Sequence, residues 1–117
     1  MEPPKWLLLK GKVAAITGGT TGIGRAITLE YIRQGCKVAV NHLGLPSDEH
    51  HLRSLLEEAT EIIKQVGEDS GDLIEVEGDV RDPETGTKLV KETVEKWGRL
   101  DIFVSNAGVC KFAEFLS

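Results

Sequence analysis

A glycine-rich turn between a buried strand and a helix limits the possible folds of this chain more than any other feature. The segment 12–24 reads KVAAITGGTTGIG, and its apolar residues lack polar alternation, as in a parallel strand covered on both faces. Glycines at 18, 19, 22 and 24 permit positive φ and leave space for a ligand beside the backbone. The helix that begins there presents unpaired N–H groups and the positive end of its dipole, which suit a pyrophosphate.

We therefore predict a phosphate-binding turn. Its spacing differs from the commoner G-x-G-x-x-G fingerprint, but its place between strand and helix is the one that a dinucleotide-binding turn requires. A closely packed turn that binds no ligand is the alternative. The candidate binding residues are Gly18, Thr20, Thr21, Gly22, Ile23 and Gly24.

Short β-branched runs and helical apolar stripes alternate along the chain. We predict the order β-α-β-α-β-α-β, with strands at 13–16, 37–41, 73–77 and 101–105. Short connections favour right-handed crossovers onto one sheet, so the predicted fold class is α/β, a doubly wound parallel sheet. The predicted strand order is 3-2-1-4, with three helices. Residues 1–11 are predicted to form a lead-in segment, and 12–117 a partial nucleotide-binding domain.

Polar residues, proline and glycine mark the predicted helix ends. Ser47 is predicted to cap the second helix, whose apolar positions between Leu52 and Val66 recur every three or four residues. That stripe is typical of core packing. Asp82 and Pro83 are predicted to begin the third helix, and Gly98 to end it.

Composition excludes several classes of partner. The net charge of −5 argues against nucleic acid, because phosphate backbones require basic patches on a protein. No run of about 18 apolar residues is present, so we expect neither a membrane span nor a membrane partner, and the first residues do not resemble a signal peptide. Cys36 and Cys110 lie far apart without metal-ligand spacing, which indicates reduced thiols, a cytoplasmic location and no metal site.

Further candidate residues follow the second strand, because ligands of doubly wound sheets lie beyond the carboxyl ends of the strands. Asn41 and His42 stand about twenty residues beyond the turn, where an acid would bind the ribose 2′-hydroxyl of NAD. No acid stands there, and Asp48 is the nearest. We predict that His42 lies beside a 2′-phosphate or a hydroxyl. The alternative is an exposed loop histidine without contacts.

The ends of the third and fourth strands supply the remaining candidates. Asp79 can accept a hydrogen bond from an adenine amino group while Val80 packs against the ring. The alternative is that Asp79 caps a turn and binds no ligand. Asn106, Ala107 and Gly108 allow the backbone to lie against a cofactor, and the Asn106 amide can tie neighbouring strands together. A simple turn at the strand end is the alternative.

Four ordered motifs resemble those of the short-chain dehydrogenase/reductase family: TGGTTGIG at 17–24, GDV at 78–80, GRLD at 98–101 and SNAG at 105–108. The resemblance implies a Rossmann fold that binds NAD or NADP. For the full-length protein it implies hydride transfer between nicotinamide and an alcohol or carbonyl, and we expect a homo-oligomer. Within the family, residues 40–43 and 104–110 look most like fungal sugar 1-dehydrogenases of the L-rhamnose dehydrogenase kind, which implies oxidation of an aldose at its anomeric carbon.

The catalytic residues of the family have no counterpart here. The resemblance implies an Asn, a Ser and a Tyr-x-x-x-Lys pair well downstream of the SNAG motif, and only nine residues follow Gly108. The single tyrosine, Tyr31, lies in the first predicted helix without a lysine four residues later. We assign no catalytic residue and expect the cofactor-binding half of such an enzyme. A non-catalytic dinucleotide-binding module or an inactive gene fragment is the alternative, and the missing acid after the second strand disfavours a methyltransferase that uses S-adenosylmethionine.

The sequence leaves the choice between NAD and NADP open. Family members that favour NADP often carry a basic residue where Thr21 stands, and those that favour NAD usually carry an acid at the position of His42. We expect His42→Asp to shift the full-length protein towards NAD, because the carboxylate would accept the 2′-hydroxyl and repel a 2′-phosphate. We also expect Gly24→Val to weaken dinucleotide binding, because its side chain would block the pyrophosphate.

Overall fold

The computed structural model describes residues 7–106, which form one four-stranded parallel sheet with three helices. The sheet order β3-β2-β1-β4 is the predicted 3-2-1-4 order, so the predicted fold class is confirmed. The strands are β1 (Val13–Thr17), β2 (Lys37–His42), β3 (Asp72–Glu77) and β4 (Ile102–Ser105), and the helices are α1 (Gly22–Arg33), α2 (Glu49–Val66) and α3 (Pro83–Trp97). No helix within residues 7–106 is long and apolar enough to cross a membrane.

The sheet separates two hydrophobic cores. On one face, Ile16 and Val38 of the central strands pack with Ile32 of α1 and Leu55 of α2. On the other face, Leu89 of α3 packs with small and branched residues of β1, β2 and β3. Because β1 and β2 lie between other strands and are covered on both faces, their sequences lack polar alternation.

The predicted helix ends are partly confirmed. The Asp82 carboxylate accepts a hydrogen bond from the Glu84 N–H at 2.9 Å, Pro83 is the first residue of α3, and Gly98 ends that helix with a φ of 80°. The predicted Ser47 cap of α2 is wrong. Ser47 lies inside a 3₁₀ turn, Pro46–Asp48, because the φ of proline suits the first position of a helical turn and the chain turns there before α2 begins.

Part of the predicted lead-in packs against the sheet and helices. Leu7 is buried, and the Leu9 N–H donates to the Gln34 carbonyl at 3.1 Å after the end of α1. Lys10 forms an ion pair of 2.7 Å with Asp69. Residues 7–11 therefore contact the carboxyl end of α1 and the segment before β3, while the proposed boundary at residue 12 stays a prediction.

Candidate functional site

The glycine turn joins β1 to α1 and leaves the first turn of the helix open. Gly18 and Gly22 have φ values of 63° and 56°, a left-handed region that favours glycine. Thr21 occupies the N-cap position of α1, but its side chain makes no capping hydrogen bond, so it satisfies none of the first N–H groups of the helix. A Cβ added to Gly22 would meet no atom within 4 Å, and Ile23 is 73% exposed beside it. The start of α1 therefore offers N–H donors and open surface to an anionic ligand.

Gly24 has a different role from Gly22. A Cβ added to Gly24 would collide with the Gly18 carbonyl oxygen and would lie 2.5 Å from Nδ2 of Asn106. The reason that the sequence suggested for Gly24, room for a pyrophosphate, is therefore wrong: the space is filled by the protein itself. Gly24 permits the close approach of α1 to the end of β1, which shapes the turn. An effect of Gly24→Val on affinity stays a prediction, with distortion of the turn as its cause.

Thr28 supports the turn from inside α1, and sequence reasoning missed it. Its buried hydroxyl donates to the Gly24 carbonyl at 2.8 Å and lies 3.4 Å from the Gly19 carbonyl. A Cβ on Gly19 would lie 3.0 Å from this hydroxyl, so the glycine turn and the threonine fit closely together. A polar residue among the apolar positions of the first helix was the available signal.

Asn106 ties the end of β4 to the turn. Its N–H donates to Oγ1 of Thr17 at 2.9 Å, and its Nδ2 donates to the Gly18 carbonyl at 3.2 Å. These bonds form the tie between neighbouring strands that the sequence predicted for this amide. Ala107 and Gly108 lie outside the described residues, so their assignment to the site stays a prediction.

A cavity of about 460 Å³ opens beside the turn, beyond the carboxyl ends of β1, β2 and β3. This is the edge of a doubly wound sheet at which ligands bind. Seven of the predicted residues line it, and their role in binding stays a prediction. Sequence reasoning missed Leu43 and Arg81 and noted Asp48 only as the nearest acid. The lining residues are Gly18, Thr20, Thr21, Asn41, His42, Leu43, Asp48, Asp79, Val80 and Arg81.

Asn41 holds the ends of β2 and β3 together. It is buried, and its Nδ2 donates to the Gly78 carbonyl at 2.9 Å and approaches the Val76 carbonyl at 3.4 Å. The amide therefore fixes the chain at the point where β3 leads into Asp79 and Val80. Asn41 shapes the wall of the cavity through its contacts with the backbone.

His42 is not an exposed loop histidine, so that alternative is wrong. Its side chain is only 9% exposed. Nδ1 accepts a hydrogen bond from the Gly44 N–H at 3.1 Å, and Nε2 is buried 3.6 Å from a carboxylate oxygen of Glu75. Because Nδ1 is an acceptor, the ring proton lies on Nε2. Both ring nitrogens face the protein, although Nε2 has no hydrogen-bond partner, and His42 lines the cavity.

Asp79 caps a turn and lines the cavity at the same time. Its carboxylate accepts a hydrogen bond from the Arg81 N–H at 2.8 Å, and Nε of the Arg81 guanidinium lies 3.1 Å from both carboxylate oxygens. The hydrogen bond with Asp79 raises the pKa of Arg81 above its ordinary value. Val80 is partly exposed and provides an apolar surface next to this ion pair.

No metal centre or reactive thiol is present within residues 7–106. This part of the chain holds no group of three or more His, Cys, Asp and Glu side chains that could bind a metal ion. Cys36 is fully buried, and burial raises the pKa of its thiol to about 12. A buried thiol with such a pKa is unreactive at neutral pH.

The turn and the cavity together fit the adenosine diphosphate part of a dinucleotide. Phosphates require N–H donors, which the uncapped start of α1 presents beside positive-φ glycines. An adenine ring requires apolar surface and a few polar partners, which Val80 and the ends of β2 and β3 provide. The chemistry of the lining therefore matches a nucleotide.

Comparison with known proteins leads to one family. The family model described as short chain dehydrogenase matches residues 12–117. An L-rhamnose-1-dehydrogenase of Scheffersomyces stipitis is 50% identical over 109 residues, which are 93% of this chain and 40% of that protein. A crystal structure of a short-chain type dehydrogenase/reductase from Mycobacterium marinum gives a TM-score of 0.71 at 29% identity, over 89% of this chain and 38% of that chain.

A second solved structure is described as NADH-dependent reductase A1-R′ complexed with NAD. It gives a TM-score of 0.70 at 32% identity, over 88% of this chain and 39% of that chain. The chain thus spans about 40% of the length of the relatives that it matches.

Proposed function

The chain belongs to the short-chain dehydrogenase/reductase family, and from that premise we propose that it binds the adenosine diphosphate part of NAD or NADP. The observation that carries this proposal is the uncapped start of α1, which lies next to a cavity lined by the glycine turn and by the ends of β2 and β3. In this proposal the N–H groups of the turn hold the pyrophosphate, and Val80 packs against the adenine.

For the full protein we propose an oxidoreductase that acts on an alcohol or a carbonyl, with the anomeric carbon of an aldose as the substrate position. The likeness to the Scheffersomyces enzyme supports a sugar as the substrate. Bound nicotinamide would supply the hydride acceptor or donor. The residues of this chain bind and orient the cofactor, and a location in the cytoplasm and a homo-oligomeric full protein belong to the same proposal.

A second candidate is a dinucleotide-binding module without catalysis. The observation behind it is that the predicted residues lining the cavity are all candidates for binding the cofactor. Both candidates require the same cofactor site. They differ in whether the full protein turns over an aldose in the presence of a nicotinamide cofactor.

Gly22→Ala tests the cofactor site. A methyl group at Gly22 would enter the open space at the start of α1, so we expect at least tenfold weaker binding of NAD⁺ by calorimetric titration. Gly98→Ala is the matched control, because Gly98 also has a positive φ and also has no atom within 4 Å of an added Cβ, but it ends α3 away from the cavity. Both variants carry a similar backbone strain, about 1–2 kcal/mol.

The comparison between the two variants decides the outcome. Affinity that falls in Gly22→Ala and is kept in Gly98→Ala supports the site. Equal affinities in all three proteins would show that the start of α1 does not hold the pyrophosphate. An equal loss of affinity in both variants would mean that backbone strain causes the effect, and it would contradict the proposal as well.

A further inference from the structure

We propose that Asp48 supplies the carboxylate that makes this site prefer NAD to NADP, an inference that rests on the proposed function above. Asp48 lies seven residues beyond Asn41 and belongs to the 3₁₀ turn Pro46–Asp48 that precedes α2. The residue nevertheless lines the same cavity as Thr20, Thr21 and His42. The turn thus brings an acid back to the end of β2, where the strand itself carries none.

The carboxylate of Asp48 is available to a ligand. Asp48 occupies the N-cap position of α2, but its side chain makes no capping hydrogen bond. Among residues 7–106 no hydrogen bond or ion pair engages this carboxylate, whereas the neighbouring Glu49 pairs with Arg53 at 3.1 Å. The residue is half-buried, so its charge is only partly screened by solvent. A partly buried, unpaired carboxylate in a cavity wall is suited to accept hydrogen bonds from hydroxyl groups.

His42 also lines the cavity, but its ring nitrogens are turned towards the protein. Nδ1 accepts the Gly44 N–H, and Nε2 is buried beside Glu75. Nδ1 is thus occupied, and Nε2, although it has no hydrogen-bond partner, is shielded from solvent in this arrangement. The choice between the two cofactors therefore depends on Asp48 rather than on His42.

The charges around this end of the cavity are mostly negative. Glu75 lies beside His42, and the Glu77 carboxylate lies against Gly44, where an added Cβ would collide with it. Of the nearby cations, Arg81 is paired with Asp79. The Lys88 ammonium donates to the backbone carbonyl of Glu77 at 2.9 Å.

The start of α2 would by itself attract a phosphate, but Asp48 places a negative charge at that end of the helix dipole. A 2′-phosphate next to Asp48 would therefore be repelled, and a 2′-hydroxyl would be bound.

The test measures the affinities of ADP-ribose and 2′-phospho-ADP-ribose, which differ only at the 2′ position, by calorimetry on the full protein that carries this sequence. The variants are Asp48→Asn and, as a second substitution, Asp48→Ser, with folding checked by circular dichroism. Glu49→Gln is the matched control, because it removes the same charge one residue later at the same helix terminus. NAD⁺ and NADP⁺ are then compared in the same proteins.

We expect the wild type to bind ADP-ribose at least tenfold more tightly than the 2′-phosphorylated ligand. Both Asp48 variants should reduce that ratio at least tenfold, and Glu49→Gln should leave it within twofold. A ratio unchanged in the folded Asp48 variants would overturn the role of Asp48 while leaving the cofactor site intact. An equal change of the ratio in Glu49→Gln would mean that the overall negative charge at the start of α2 sets the preference, and it would also overturn the specific role of Asp48. A folded wild type that binds neither ligand would instead overturn the proposed function.

Discussion

Two glycines at the start of α1 have different surroundings, open space at one and close packing at the other. Gly22 faces open space, and Gly24 faces the Gly18 carbonyl and the Asn106 side chain. In the sequence both belong to one motif, and the pattern does not distinguish them. The distinction depends on which side of the helix meets the end of β1, and that follows only from the packing of the two elements.

Gly24→Ala should destabilise the folded state. The added methyl would force the turn away from α1 and disturb the Asn106 hydrogen bond, at a cost of about 1–3 kcal/mol in the free energy of unfolding. Urea denaturation measures this cost. Gly86→Ala in α3 is the control, because an added Cβ there meets no atom within 4 Å, and alanine should raise stability by about 0.5–1 kcal/mol in a helix. An unchanged midpoint for Gly24→Ala would contradict the close approach.

At the scale of the elements, β4 is joined to β1 at both of its ends. Asn106 binds Thr17 and Gly18 after the strand, and Asp101 binds Val13 before it. The Val13 N–H donates to the Asp101 carboxylate at 2.9 Å, and the Asp101 N–H donates to the Val13 carbonyl at 2.8 Å. The Arg99 guanidinium holds the same carboxylate at 2.7 Å. The GRLD motif therefore sets the start of β4.

Asp101→Asn should lower the stability of the fold near neutral pH and make that stability less dependent on pH. The hydrogen bond from Arg99 lowers the pKa of Asp101 below its ordinary value, and the hydrogen bond from the Val13 N–H adds a smaller effect in the same direction. Because the folded value is lowered, the charged carboxylate stabilises the fold above the unfolded pKa of about 3.9, and this contribution is lost as the pH falls through the folded value.

Thermal unfolding at pH 7 and at pH 3 measures this contribution. Asp72→Asn, at the start of β3, is the control because no ion pair engages Asp72 within residues 7–106. We expect a difference between wild type and Asp101→Asn at pH 7 that shrinks at pH 3, and little change for Asp72→Asn. A difference that is the same at both pH values would show that the charge of Asp101 does not stabilise β4.

The elements and their order could be predicted from local patterns, but parts of the site could not. Buried strands, the Asp82-Pro83 helix start and the α2 stripe depend on residues close together in the sequence. Asp48 and Arg81 follow β2 and β3, and they line one cavity because the parallel sheet brings the ends of those strands together. Ser47 lies inside the 3₁₀ turn Pro46–Asp48 and therefore does not cap α2 as predicted. The same turn places Asp48 in the cavity wall.

At the scale of the whole molecule, the site is assembled from three separate parts of the sequence by the parallel sheet. The glycine turn, the end of β2 and the end of β3 meet at one edge because all strands run in the same direction. The net charge of −5 opposes the binding of an anionic dinucleotide. In the proposed complex, the N–H groups and dipole at the start of α1 would supply the local attraction that outweighs the overall charge.

Hydrogen–deuterium exchange of the full protein with and without NAD⁺ locates the bound cofactor along the chain. We expect slower exchange in peptides that cover residues 17–24, 41–48 and 78–82, the three parts that meet at the cavity. Peptides from the second half of α2, residues 58–66, should exchange at the same rate in both conditions. Slower exchange confined to other regions, or no slowing at saturating NAD⁺, would contradict cofactor binding at the start of α1 and the cavity.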